Sequence, residues 1–102
     1  MRELPIACTL DAQDAQRRLA QWRSVGEHTL LAVDLAERIL TVGYEPSALP
    51  ELRALVRAEQ TCCAFLDWSL EERPDRVLLT IRCDASGEPE LSRLAGLLAA
   101  SG

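Results

Sequence analysis

Two short apolar runs in this chain repeat at every second residue, a period that fits a β-strand with one buried face. Val77, Leu79, Ile81 and Cys83 form one run, and Leu66, Trp68 and Leu70 form the other. Successive side chains of a strand point to opposite faces, so each run lines one side of a pleated sheet. Between them the stretch 71–76 carries Pro74 and Asp75, residues that favour a turn. The two runs therefore predict a hairpin. An isolated hairpin is marginal in water, so its apolar face needs further strands or helices against it.

The remaining patterns supply both. Ile6, Cys8 and Leu10 alternate and predict a first strand. Asp11 suits an N-cap, Asp14 suits a first helical turn, and Ala12, Ala15, Leu19 and Trp22 recur at helical spacing. This predicts a helix over 12–24 that stops near Gly26. Residues 28–33 and 38–44 read as strands joined by a turn over 34–37, the second being rich in β-branched and aromatic residues. Leu31, Leu35 and Ile39 also stand at i, i+4 and i+8, which would suit a helix over 28–40; the hairpin is the preferred reading. Pro50 suits the first turn of a second helix with the inner stripe Leu52, Leu55, Val56, Glu59, Cys63 and Leu66, ending near Phe65. Pro89 opens a last helix with the stripe Leu91, Leu94, Ala95 and Leu98. The order β-α-β-β-α-β-β-α predicts an α+β fold, a two-layer sandwich of a mainly antiparallel sheet with helices on one face.

The chain has 102 residues, the size of a single domain spanning 1–102. Its net charge is −5 and all its basic residues are Arg. With those Arg residues scattered, there is no cationic cluster of the kind that nucleic-acid phosphates need. The apolar runs fall far short of the roughly 20 residues that span a bilayer, and the start lacks the apolar core of a signal peptide. The expectation is a cytoplasmic protein with reduced thiols and no direct nucleic-acid or membrane partner.

Those thiols carry the chemistry. Cys62 and Cys63 are adjacent, and a disulfide between them is disfavoured because neighbouring Cα atoms sit about 3.8 Å apart, below the usual disulfide range. Two reduced thiols this close suit a soft ion: Cu(I) and Zn(II), and by the same softness Hg(II), As(III) and Cd(II). Cys8 and Cys83 share their strand faces with apolar residues, so both are expected on the core side, where the second helix also packs. Glu59 precedes Cys62 by three residues and Cys63 by four, which sets its carboxylate on the same side of a helix, as a hard ligand or a proton acceptor. The candidate ligand set is Cys8, Cys62, Cys63, Cys83 and Glu59. Against it stands the tendency of free Cys to be buried as a small hydrophobe. A helix C-terminus also disfavours thiolate, and the nearest cation in sequence is Arg57. His28, the only His, reads as a surface residue, and Trp22 and Trp68 as core or interface anchors.

Cys8-Thr9-Leu10, a helix carrying Trp22, and Glu59-Gln60-Thr61-Cys62-Cys63-Ala64-Phe65 ahead of a hairpin together resemble a group of small bacterial proteins. Those proteins share a Cys-Thr-Leu start and a Glu-x-x-Cys-Cys-Pro-Phe-like core, and some are similar to domains found beside or fused to MerR-type metal-responsive regulators. The resemblance covers about residues 7–98 and implies a heavy-metal context in which Cys8, Cys62, Cys63 and Glu59 are the group's own positions. Ala64 departs from the group's Pro, and Cys83 stands where the group has no cysteine.

Three readings follow. The first is a soft-metal or metalloid binding protein for sequestration, delivery or sensing, with a MerR-type regulator or a second copy of the chain as partner. The second is an interaction or dimerisation module whose cysteines are core residues. The third, ranked last, is a thiol redox or organometal-processing enzyme, for which Glu59 is the one activating group near the pair in sequence.

Overall fold

The computed structural model describes residues 12–62 and 66–101. In chain order they form α1 (Ala12–Thr29), β1 (Leu30–Ala36), β2 (Ile39–Tyr44), α2 (Leu49–Cys62), β3 (Asp67–Glu72), β4 (Val77–Arg82) and α3 (Glu88–Ser101). The four strands make one antiparallel sheet in the order β1-β2-β4-β3. The fold is α+β. The strand expected over 6–10 lies outside the described residues.

Alternation builds the sheet. Leu40, Val42 and Tyr44 of β2, Val77, Leu79 and Ile81 of β4 and Trp68 of β3 are all buried. The cross-strand pairs Leu40↔Ile81, Val42↔Leu79 and Tyr44↔Val77 put them on one face, and Trp68↔Ile81 adds β3. The helical stripes close over that face. Trp22 and Val25 of α1, Leu52, Leu55 and Val56 of α2, and Leu91, Leu94, Ala95 and Leu98 of α3 join the same core. Each Val, Leu or Ile among them contributes roughly 1.5–3 kcal/mol when taken from water. The other sheet face shows Asp67, Ser69, Glu71, Arg82, Ala32 and Asp34 to solvent.

The preferred hairpin over 28–44 forms, although its ends shift. α1 does not stop near Gly26 but continues to Thr29. A helical glycine costs about 1 kcal/mol relative to Ala, yet Gly26 is buried beside Val25 and needs no room for a side chain. Side chains of the last turn also reach back to carbonyls one turn earlier: Thr29 Oγ1 donates to the Val25 carbonyl at 2.6 Å, and the His28 ring nitrogen Nδ1 lies 2.8 Å from the Ser24 carbonyl. His28 is exposed, as expected, but it sits at the end of a helix and not at the start of a strand. The turn falls at Glu37-Arg38, between the paired residues Ala36 and Ile39, and not over 34–37. Glu37 holds it with φ of 55°. β1 carries a bulge at Leu31, between Leu30 and Ala32.

Candidate functional site

Glu59 is the one buried charged residue among those described, with no exposed surface. It lies on the inner face of α2, one turn before Cys62, because residues 55, 56 and 59 share the stripe that packs on the sheet. Two groups from α1 meet it there. Arg18 Nη1 donates to Glu59 Oε2 at 2.8 Å, and Trp22 Nε1 donates to the same oxygen at 3.1 Å. Trp22 in turn packs against Trp68, with ring centroids 6.0 Å apart and planes tilted by 31°. Gln60 Nε2 donates to the Trp68 carbonyl at 3.0 Å, which ties the end of α2 to β3.

Oε2 thus takes both donors, while Glu59 Oε1 and Trp68 Nε1 are buried with no hydrogen-bond partner among the described residues. One is an acceptor and the other a donor, and a buried polar atom left so costs about 1–3 kcal/mol. Burial pushes the Glu59 carboxyl above its usual range, and the bonds from Trp22 and Arg18 offset only part of that shift. The cluster is therefore a polar inclusion in an apolar core, and Glu59 precedes Cys62, the last residue of α2, by one helical turn.

The Glu59 contacts set the register of α1 against α2. Val25 and Ser24 line one cleft with Glu51, Ala54 and Leu55, while Arg18 and Trp22 reach Glu59, so the two helices run antiparallel. From Arg18, α1 continues about 9 Å to Ala12; from Glu59, α2 continues about 4.5 Å the same way to Cys62. Cys8 is joined to Ala12 by a chain that reaches about 14 Å at most. Cys63 is the next residue after Cys62.

Cys83 belongs to the same end of the molecule. Asp67↔Arg82 is the last pair of β3 with β4, so Leu66 and Cys83 flank each other just beyond it, and Leu66 follows Cys63 by three residues. Both border Gly87: a Cβ built there would stand 2.8 Å from Cys83 Cβ and 3.6 Å from Leu66 Cδ2. As expected from alternation, Cys83 packs against the core. Burial, then the carboxylates of Glu88 and Asp84, push its thiol up, and Arg38 pulls the other way. The backbone N–H of Cys83 donates to the Arg38 carbonyl at 3.1 Å, and the Arg38 side chain bonds Glu88 at 2.6 Å.

Of the expected ligand set, Glu59 and Cys83 are described in full and Cys62 in its backbone, as the last residue of α2. Cys8 and Cys63 lie outside the described residues. Among the described residues, no three His, Cys, Asp or Glu side chains gather in a metal-binding group. Arg18 and Trp22 were not anticipated as partners of Glu59. They stand four residues apart on one face of α1, a spacing that sets the two side by side but does not say which carboxylate they meet. Comparison with protein-family models, curated proteins and solved structures finds no match.

Proposed function

We propose that the chain binds a soft metal or metalloid ion at the end of α2, through the thiolates of Cys62 and Cys63 with Cys8 as a third sulfur, Cys83 as a fourth and Glu59 as the adjoining carboxylate. The observation that carries this reading is the Arg18–Glu59–Trp22 contact. It leaves Glu59 Oε1 buried and without a hydrogen-bond partner among the described residues, on the helix that ends at Cys62, and it brings the start of α1, four residues after Cys8 in sequence, to that same end. A soft cation would supply the positive charge that a helix C-terminus lacks, stabilising thiolates there. Three sulfurs suit a trigonal ion, and a fourth completes a tetrahedral one. Such a site would serve sequestration, delivery or sensing for a MerR-type regulator.

The test is a titration of reduced, metal-free protein with Hg(II), As(III), Cu(I), Zn(II) and Cd(II), following thiolate-to-metal charge transfer. The expected result is tight binding of one ion per chain that is lost when Cys62 and Cys63 are both changed to Ser. Affinity no better than that of a free dithiol, or unchanged in the double variant, refutes the proposal.

A further inference from the structure

The two oxygens of the Glu59 carboxylate are treated differently. Oε2 accepts from Arg18 Nη1 at 2.8 Å and from Trp22 Nε1 at 3.1 Å, both groups belonging to α1. Oε1 is buried with no hydrogen-bond partner among the described residues. The Glu59 side chain has no exposed surface and that of Arg18 is 14% exposed, so the pair sits largely out of water. Trp22 is buried in turn and packs on Trp68. Gln60, the next residue along α2, is anchored to the Trp68 carbonyl. Groups from α1 and β3 therefore fix this turn of α2 and the carboxylate on it. An acceptor left without a donor in an apolar core is costly. A carboxylate whose other oxygen is engaged by outer partners is also the form in which it serves as an oriented metal ligand.

We infer, on the soft-metal reading above, that Arg18 and Trp22 are positioning residues for the ion: by engaging Oε2 they offer it Oε1 alone, and the site takes a divalent cation of the zinc class, which accepts an anionic oxygen beside sulfur. Zn(II) takes Cys sulfur and carboxylate oxygen in its tetrahedral sites, and Cd(II) shares that chemistry. As(III) and Cu(I) are satisfied by sulfur alone. A tetrahedral ion that holds this oxygen needs three sulfurs, the number that Cys8, Cys62 and Cys63 supply. Arg18 also answers the charge. Thiolates around a divalent ion already carry surplus negative charge, a carboxylate adds to it, and the guanidinium offsets that addition where little water can do so.

The contrast between ions supplies the experiment. Cd(II) and As(III) are titrated separately into the full-length reduced protein, followed by thiolate-to-metal charge transfer. As(III) uses the sulfurs without the oxygen and so reports on them alone. In Glu59→Gln the amide oxygen can take the bonds from Arg18 and Trp22, which puts the amide nitrogen, a donor and no metal ligand, where Oε1 was. This variant should bind Cd(II) about tenfold or more weakly and As(III) within about twofold of the wild type. Trp22→Phe keeps an aromatic ring and removes the N–H donor. It should weaken Cd(II) by about tenfold, spare As(III), and add nothing further in the Glu59→Gln chain, as a residue acting through Glu59 must. Circular dichroism verifies that each variant stays folded. Equal losses for the two ions would make Glu59 and Trp22 structural only and overturn the inference. Cd(II) binding indifferent to Glu59→Gln overturns it too, while leaving the thiolate reading intact with water at Oε1. A loss with Glu59→Gln but none with Trp22→Phe overturns the positioning role. A wild type that binds neither ion overturns the thiolate reading and this inference with it.

Discussion

At the scale of single residues, Glu59 is the least expected feature of the core. A carboxyl with no exposed surface is held above its usual value of 4.5 because burial outweighs the help of Trp22 and Arg18. The folded chain then keeps that proton to higher pH than the unfolded chain does. Its contribution to stability is full below the unfolded value and is lost as pH rises through the folded one. Denaturant midpoints of the metal-free protein, measured between about pH 4 and pH 7, should therefore contain a falling component that Glu59→Gln lacks. The difference between wild type and variant isolates it from groups of opposite sign such as Asp84, whose carboxyl is lowered chiefly by the Ser86 hydroxyl. Gly87 gives a second residue-level prediction. A side chain there meets Cys83 Cβ at 2.8 Å, an atom that no side-chain rotation moves aside. Gly87→Ala should cost about 1–3 kcal/mol in urea unfolding, the range for forced overpacking. A cost under half of that would mean that the segment around Cys83 yields freely.

At the scale of elements, local pattern and long-range contact divide what the sequence discloses. The alternation of Val77, Leu79 and Ile81 and the stripe Leu91, Leu94, Ala95 and Leu98 are local periods, and every one of those side chains is buried as the period requires. The spacing of Glu59 and Cys62 is equally local, and α2 carries both. The partners of Glu59 were not legible in this way. Arg18 and Trp22 lie 41 and 37 residues from it, and nothing in the neighbourhood of an arginine tells which carboxylate it will meet. The ends of α1 and of the first hairpin also escaped local reasoning. Gly26 reads as a stop but is buried inside the helix, and the turn uses Glu37, a residue with no turn signature. That turn is testable. A left-handed conformation costs an L-residue about 1–2 kcal/mol, and Gly adopts it freely at the expense of greater unfolded-state freedom. Glu37→Gly should raise stability by about 0.5–1 kcal/mol in urea unfolding. Glu37→Val, branched at Cβ, should lower it.

At the scale of the whole molecule, the topology gathers segments that are far apart in sequence. α1 runs into β1 without a loop, so its start lies at the end of the sheet where β1 finishes and β2 begins. β4 finishes at that same end, since Ile39 pairs with Arg82, and β3 begins there opposite Arg82. α2 is held over the start of β3 by the bond from Gln60 to the Trp68 carbonyl. The start of α1, the end of α2 and the end of β4, which stand next in sequence to Cys8, Cys62–Cys63 and Cys83, thus share one pole. If the pole acts as a unit, an ion bound there cross-links three segments of the folded chain, whereas an ion held by the vicinal pair alone links only neighbours. The two cases differ in thermal stability. A ligand that binds only the folded chain, present at 100 times its dissociation constant, stabilises by about 2.7 kcal/mol. For a domain of this size that is a rise of about 10–20 °C in melting temperature. Cd(II) should produce a rise of this order in the wild type, and Cys8→Ser, more than fifty residues from the pair, should remove at least half of it while leaving the metal-free melting temperature within a few degrees. A Cys8→Ser chain that keeps the full rise would confine the ion to Cys62 and Cys63 and detach the first segment from the site.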